Sequence, residues 1–193
     1  MSTEDAEDLR LTGDLASFEH EMAPRIANAL ARIQGTTLLV IILGPGKESP
    51  GYDKRVQIQT EASRLPGIRA LMPEDSLAFE LIERKFGFDP SEDYSRSEAV
   101  LCEMADLVLA LDTPSANGVN QEVGLFAVQA HISPKIVDLL PQGATTAAFG
   151  SNLRRQLHKE YFTDDDFHTC RLATSICPRI IRAKQVDKRL GRL

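Results

Sequence analysis

Leu107-Val108-Leu109-Ala110-Leu111-Asp112-Thr113-Pro114-Ser115-Ala116-Asn117-Gly118-Val119-Asn120-Gln121-Glu122-Val123-Gly124 is the stretch whose reading decides the fold. Leu107–Leu111 is an unbroken aliphatic run, the signature of a strand buried on both faces. It stops at Asp112, and Thr113–Gly118 is dense in turn formers. Helical spacing then begins, with Val119, Val123, Phe126 and Ala130 recurring every three or four residues. Lys135–Leu140 reads as a second strand, ending at Pro141. Strand, turn, helix and strand make a βαβ unit, and open α/β sheets bind ligands where the strands present their carboxyl ends. Glu122 falls in the first helical turn beside that edge. An acid is also the ordinary residue at a helix N-terminus, so position alone assigns it no role.

Upstream, Thr36–Leu43 is a β-branched and aliphatic run that breaks into Gly44-Pro45-Gly46-Lys47-Glu48-Ser49-Pro50-Gly51, followed by helical spacing over Asp53–Leu65. Strand, glycine-rich loop and helix form the layout in which backbone N–H groups cradle an anion. Neither the dinucleotide fingerprint nor the P-loop pattern is present. Gly44, Gly46, Lys47 and Arg55 are the candidate anion contacts of this first loop, with Lys54 adding charge. The plain alternative is a surface loop with solvated lysines. Gly67–Met72 predicts a second strand, Ser76–Phe86 a helix closed by Gly87, and Tyr94–Ala105 a helix leading into the 107–111 strand. Strands separated by helices predict a doubly wound α/β domain. Its sheet is mainly parallel, with four or five strands flanked by helices, of flavodoxin or Rossmann type.

The flanks carry less. Residues 1–12 read as a disordered acidic tail, and residues 13–193 as a single domain. A helix through Leu15, Phe18 and Met22, kinked at Pro24, extends by way of Ile26, Leu30 and Ile33 to Gly35. From about residue 151 the segment reads as helical: Asn152–Glu160, then Arg171–Lys188 interrupted by Pro178. Asp164-Asp165-Asp166 with His168 offers carboxylates and an imidazole, but adjacent acids in a loop are more often solvated or capping than metal ligands. Cys170 and Cys177 read as packing residues, since nothing near them in sequence would lower a thiol pKa.

Composition sets the bounds. With 193 residues, 42% hydrophobic and 26% charged, the chain fits one soluble globular domain. A net charge of −6 argues against a nucleic-acid surface. No run approaches a membrane span, and the acidic N-terminus is not a signal peptide. Three cysteines without metal spacing or an evident disulfide set fit a reducing cytoplasm.

Glu98, the Ala105-Asp106 pair opening the aliphatic strand, and Pro114–Gly124 with its G-V-x-x-E-x-G element together resemble the nucleoside 2-deoxyribosyltransferase family. The similarity is strongest to its deoxynucleoside 5′-monophosphate N-glycosidase branch, with NAD-cleaving Toll/interleukin-1 receptor (TIR) domains as distant structural relatives. The resemblance implies Glu122 as the residue that attacks the anomeric carbon and Glu98 as the accompanying acid. It implies Ser115 as a contact to the 5′-phosphate, with Asp112, Asn117 and Gly118 lining the same turn. The family's first loop, of Gly-Ser-Ile-Arg-Gly type, stands here as Gly44–Gly51, and its tyrosine has no counterpart in Thr36–Leu43. The resemblance further implies a small-molecule nucleotide substrate, no cofactor or metal, and a homo-oligomer. The chemistry suits the residues on its own terms. Cleaving an N-glycosidic bond develops oxocarbenium character that a carboxylate stabilises or traps, and a second carboxyl group can move the proton. NAD glycohydrolysis, and a nucleotide sensor that keeps the pocket without turnover, remain open alternatives.

Overall fold

The aliphatic runs stack side by side, each burying what it would otherwise expose to water. The computed structural model describes residues 36–113, 123–143 and 153–193, and Thr37–Leu193 forms a compact unit of its own. The expected acidic tail and the helix ending at Gly35 lie outside the described residues. Five strands form the sheet: β1 (Leu38–Leu43), β2 (Ile68–Leu71), β3 (Leu107–Leu111), β4 (Ile136–Pro141) and β5 (His158–Phe162). Every pairing is parallel, and the spatial order is β2-β1-β3-β4-β5. This is the flavodoxin-type doubly wound order, whose direction reverses between β1 and β3.

Alternate residues of each strand point to opposite faces, and two separate cores result. One face carries Ile41, Leu43, Val108, Ala110 and Ile136. Helices α2 (Ser76–Phe86) and α3 (Tyr94–Met104) cover it, together with a helical stretch at residues 123–127. The other face carries Val40, Ile42, Leu107, Leu109 and Leu139, covered by α1 (Tyr52–Ser63) and by the C-terminal helical run. Burying one such side chain contributes roughly 1.5–3 kcal/mol, so a sheet lined on both faces dominates the stability of the unit. No helix among the described residues is long and apolar enough to cross a membrane.

The expected elements over Thr36–Leu111 and Lys135–Pro141 are present within a residue or two, and of the helix expected through Val119 and Ala130 the described part is helical at 123–127. The C-terminal segment differs from expectation. The helix expected over Asn152–Glu160 is instead a short 3-10 turn, Leu153–Gln156, followed by edge strand β5. Polar residues dominate β5, and Phe162 is its one buried residue, so no periodic apolar stripe announces a strand. Asp164–His168 then forms the single-turn helix α4. Asp166 closes a capping box there. It accepts from Thr163 N at 2.9 Å and Thr163 Oγ1 at 2.8 Å, while Thr163 Oγ1 accepts from Asp166 N at 3.1 Å. These bonds hold its carboxyl below the ordinary value, so it is a cap, as runs of loop acids commonly are. A π-helical turn, Leu172–Ile176, runs directly into α5 (Cys177–Arg189), with Pro178 at its start. Proline cannot donate within a helix, and a widened turn before it is the local remedy.

Candidate functional site

The switch between β1 and β3 brings the loop after β1 beside the end of β3, with Gly44 against Leu111 and Gly51 against Thr113. Residues 114–122 lie outside the described residues, and with them Ser115, Asn117, Gly118 and Glu122.

The first loop is braced from behind by Arg55, which is only 4% exposed. Its Nε and Nη2 donate to the Ile42 carbonyl at 3.1 and 2.9 Å, and Nη1 donates to the Pro45 carbonyl at 3.3 Å. Nη1 and Nη2 also grip Glu74 as a fork, each at 2.9 Å. A guanidinium has five N–H donors, and all five are engaged. Arg55 therefore holds the loop in shape instead of facing a phosphate, and its expected role as an anion contact is corrected accordingly. Gly44 is required by close approach, since an added Cβ would lie 3.0 Å from Arg55 Cδ and 3.3 Å from Leu111 Cβ. Gly46 and Lys47 sit at the exposed tip, in a turn closed by Ser49 N donating to the Gly46 carbonyl at 2.8 Å. Gly51 ends the loop with φ +93°, and its open side faces Thr113, Pro45 and Phe167.

Glu98 is buried, 4% exposed, on the face of α3 that also carries Leu101 and Cys102. The alternative of a solvated helix residue does not hold. It lies about 9 Å along the helix axis from Met104, at 1.5 Å per residue. Because α3 descends to the start of β3, Glu98 is raised toward the carboxyl edge of the sheet. Val123, the residue after Glu122, is buried in the same core.

A charged network that sequence reasoning missed occupies that face. Asp138, 1% exposed in the middle of β4, shares the side of Ile136, and its ladder neighbour on β3 is Ala110. Arg154, also buried, grips it with two bonds: Nε to Oδ2 at 3.0 Å, and a closer contact from Nη2 to Oδ1. Arg154 Nη1 also reaches Asp112 Oδ2 at 3.3 Å, and Asp112 N donates to the Leu139 carbonyl at 3.0 Å. Asp112 is thus positioned at the end of β3 by an arginine shared with Asp138. Burial pushes the Asp138 carboxyl up from its ordinary value, while the hydrogen bonds and charge of Arg154 pull against it. The visible signal was one carboxylate interrupting the apolar run of β4, an expensive placement unless paired. Nothing near Arg154 in sequence marks it as the partner.

Two other residues are structural, Cys177 as expected from sequence. Asp106, of the Ala-Asp pair, accepts from Leu39 N at 2.9 Å and pairs with Lys188 at 2.7 Å, at the amino edge of the sheet. Cys177 is fully buried in the second core, and burial pushes its thiol up to about 12, the state of an inert packing residue.

At the carboxyl edge, then, one face of the sheet gathers a buried glutamate, two aspartates and an arginine in an otherwise apolar layer. Such an arrangement can stabilise developing positive charge, orient a nucleophile or move a proton. No protein-family model matches the sequence, and no curated protein matches it significantly.

Proposed function

We propose that this protein cleaves, or transfers across, the N-glycosidic bond of a nucleotide, a deoxynucleoside 5′-monophosphate or a related compound. Glu122 serves as nucleophile or oxocarbenium stabiliser, and Glu98 as the accompanying acid. The observation that carries the proposal is the burial of Glu98 on α3, on the face of the sheet where the helix after Glu122 packs. A buried carboxyl group is costly and is kept where it is paired or used. The flavodoxin-type strand order adds support, because its switch point sets the Gly44–Gly51 loop beside Thr113 at the end of β3. Gly46 and Lys47, at the tip of the first loop, are the phosphate contacts together with Ser115, Asn117 and Gly118, and Asp112 is held at the end of β3 by Arg154. The chain acts on a small molecule as a homo-oligomer in the cytoplasm.

A panel of deoxynucleotides, ribonucleotides and NAD, read by chromatography for release of free base, tests the proposal. Glu122→Gln keeps size and folding while turnover falls by orders of magnitude. Glu98→Gln also lowers turnover, and the double variant loses less than the product of the single losses, because the two groups act as a unit. A folded Glu122→Gln protein that turns over normally ends the hypothesis. Tight nucleotide binding without release of base from any member of the panel replaces it with a sensor.

A further inference from the structure

A second feature stands on the opposite side of the same edge. Pro50 and Gly51 after β1, Thr113 after β3, Pro141 ending β4, Phe162 ending β5, and Asp164, Phe167 and His168 of α4 enclose a cavity of about 450 Å³, within the usual range for small-molecule sites, roughly 300–1,000 Å³. Its inner wall is aromatic: Phe162 and Phe167 stack with ring centroids 5.7 Å apart at 17°. The His168 ring stands edge-on to Phe167 at 6.0 Å and 85°. Asp164 and His168 are exposed at the mouth, whereas Phe162 is buried at the back. Lys54 Nζ lies over the Phe167 ring at 5.6 Å.

Two details of the wall point to an occupant with a flat face and a polar edge. Thr113 is 6% exposed, yet its Oγ1 finds no hydrogen-bond partner among the described residues. A buried hydroxyl left unpaired is costly, and Thr113 is part of the cavity lining, so a small turn of its side chain would offer the hydroxyl to a ligand's polar edge. Gly51 keeps the approach narrow, because a Cβ there would meet Thr113 Cγ2 at 3.2 Å and Phe167 Cζ at 3.6 Å. Stacked phenyl rings favour a further aromatic plane over an aliphatic chain.

We infer that this cavity binds a planar aromatic heterocycle of nucleobase size, packed against the Phe162–Phe167 wall with one polar edge toward Thr113. As the seat of the leaving base it rests on the reaction proposed above; as a binding site it stands without it. Thr113 follows Asp112 directly, so a ligand crossing the end of β3 would meet the carboxylates on one face and the aromatic cavity on the other.

Adenine and uracil, as free bases at millimolar concentration, are titrated into the full-length protein and followed by amide chemical shifts. The expected result is binding of at least one, with shifts centred on Gly51, Thr113, Phe167 and His168. Thr113→Val keeps the shape, removes the hydroxyl and weakens binding about fivefold. Phe167→Leu weakens it by roughly twofold to tenfold. Failure of both bases to bind overturns the inference. So do shifts that map elsewhere, or a Thr113→Val protein that binds like the wild type. The two proposals fail separately: base binding here with normal turnover by Glu122→Gln removes only the mechanism. Loss of turnover in Glu122→Gln with no base binding here removes only the cavity assignment.

Discussion

Arg154→Met would test how the carboxyl edge of the sheet is assembled. The substitution keeps an unbranched side chain of similar reach and deletes the guanidinium. Among the described residues Arg154 pairs with Asp138, 1% exposed, and Asp112, 16% exposed at the side chain. Asp112 can turn to water, whereas Asp138 is left as a buried carboxylate with its fork removed. Breaking a buried pair from one side costs about 3–5 kcal/mol. For a unit of this size each kcal/mol moves the midpoint by about 2–4 °C, so the thermal transition falls by roughly 6–20 °C. Adding Asp138→Leu removes the stranded charge and recovers most of the loss, because apolar replacement of a buried pair is often near neutral. Urea melts of wild type, both single variants and the double variant give the coupling energy, provided the slope stays constant. An Arg154→Met protein within about 1 kcal/mol of wild type would refute the reasoning. So would a double variant no more stable than Arg154→Met.

Asp138 also sets a pH dependence. Its folded-state pKa lies above the ordinary 3.8, so its contribution is fully present below that value and is lost as pH rises through the folded value. Relative to Asp138→Asn, wild type therefore loses stability as pH rises above 3.8 toward the folded value; urea melts that keep a constant difference over this rise would exclude it. Gly44→Ala forces a Cβ against Arg55 and Leu111 and costs about 1–3 kcal/mol. Gly46→Ala meets nothing within 4 Å and stays within about 0.5 kcal/mol; equal thermal midpoints for the two variants would contradict this contrast.

The strands that proved legible are those buried on both faces. Leu107–Leu111 is a continuous aliphatic segment, and the run ending at Pro141 is broken only by Asp138, because helices cover the sheet on both sides. Strand β5 escaped because an edge strand need bury little, and Phe162 alone carries that burden. The loop after β1 was legible through glycine and turn chemistry. The inner supports of this edge were not. Arg55 reads as a loop cation until the carbonyl of Ile42 and the carboxylate of Glu74 are seen around it, and Arg154 acquires meaning only from Asp138, 16 residues away. Long-range pairs of this kind leave no local periodicity. Glu98 illustrates the reverse limit: its position on a helix was readable, but whether that helix turned it inward depended on the packing of Leu101 and Cys102 against the sheet.

The alternation of side chains along a strand gives this edge its chemistry. At the end of β3 two consecutive residues leave in opposite directions, Asp112 to Arg154 and Thr113 to the aromatic cavity. The side holding Glu98, Asp138 and Arg154 is charged within an apolar layer, where electrostatic effects are strong because water is excluded. The side holding Phe162 and Phe167 is suited to a flat apolar ring. A substrate whose reacting bond joins a sugar to a heterocycle needs both environments at once, one for developing charge and one for the departing ring. On the proposed reaction, two faces of one sheet would supply them within a single residue step, with Arg55 bracing the loop after β1 and Arg154 the end of β3.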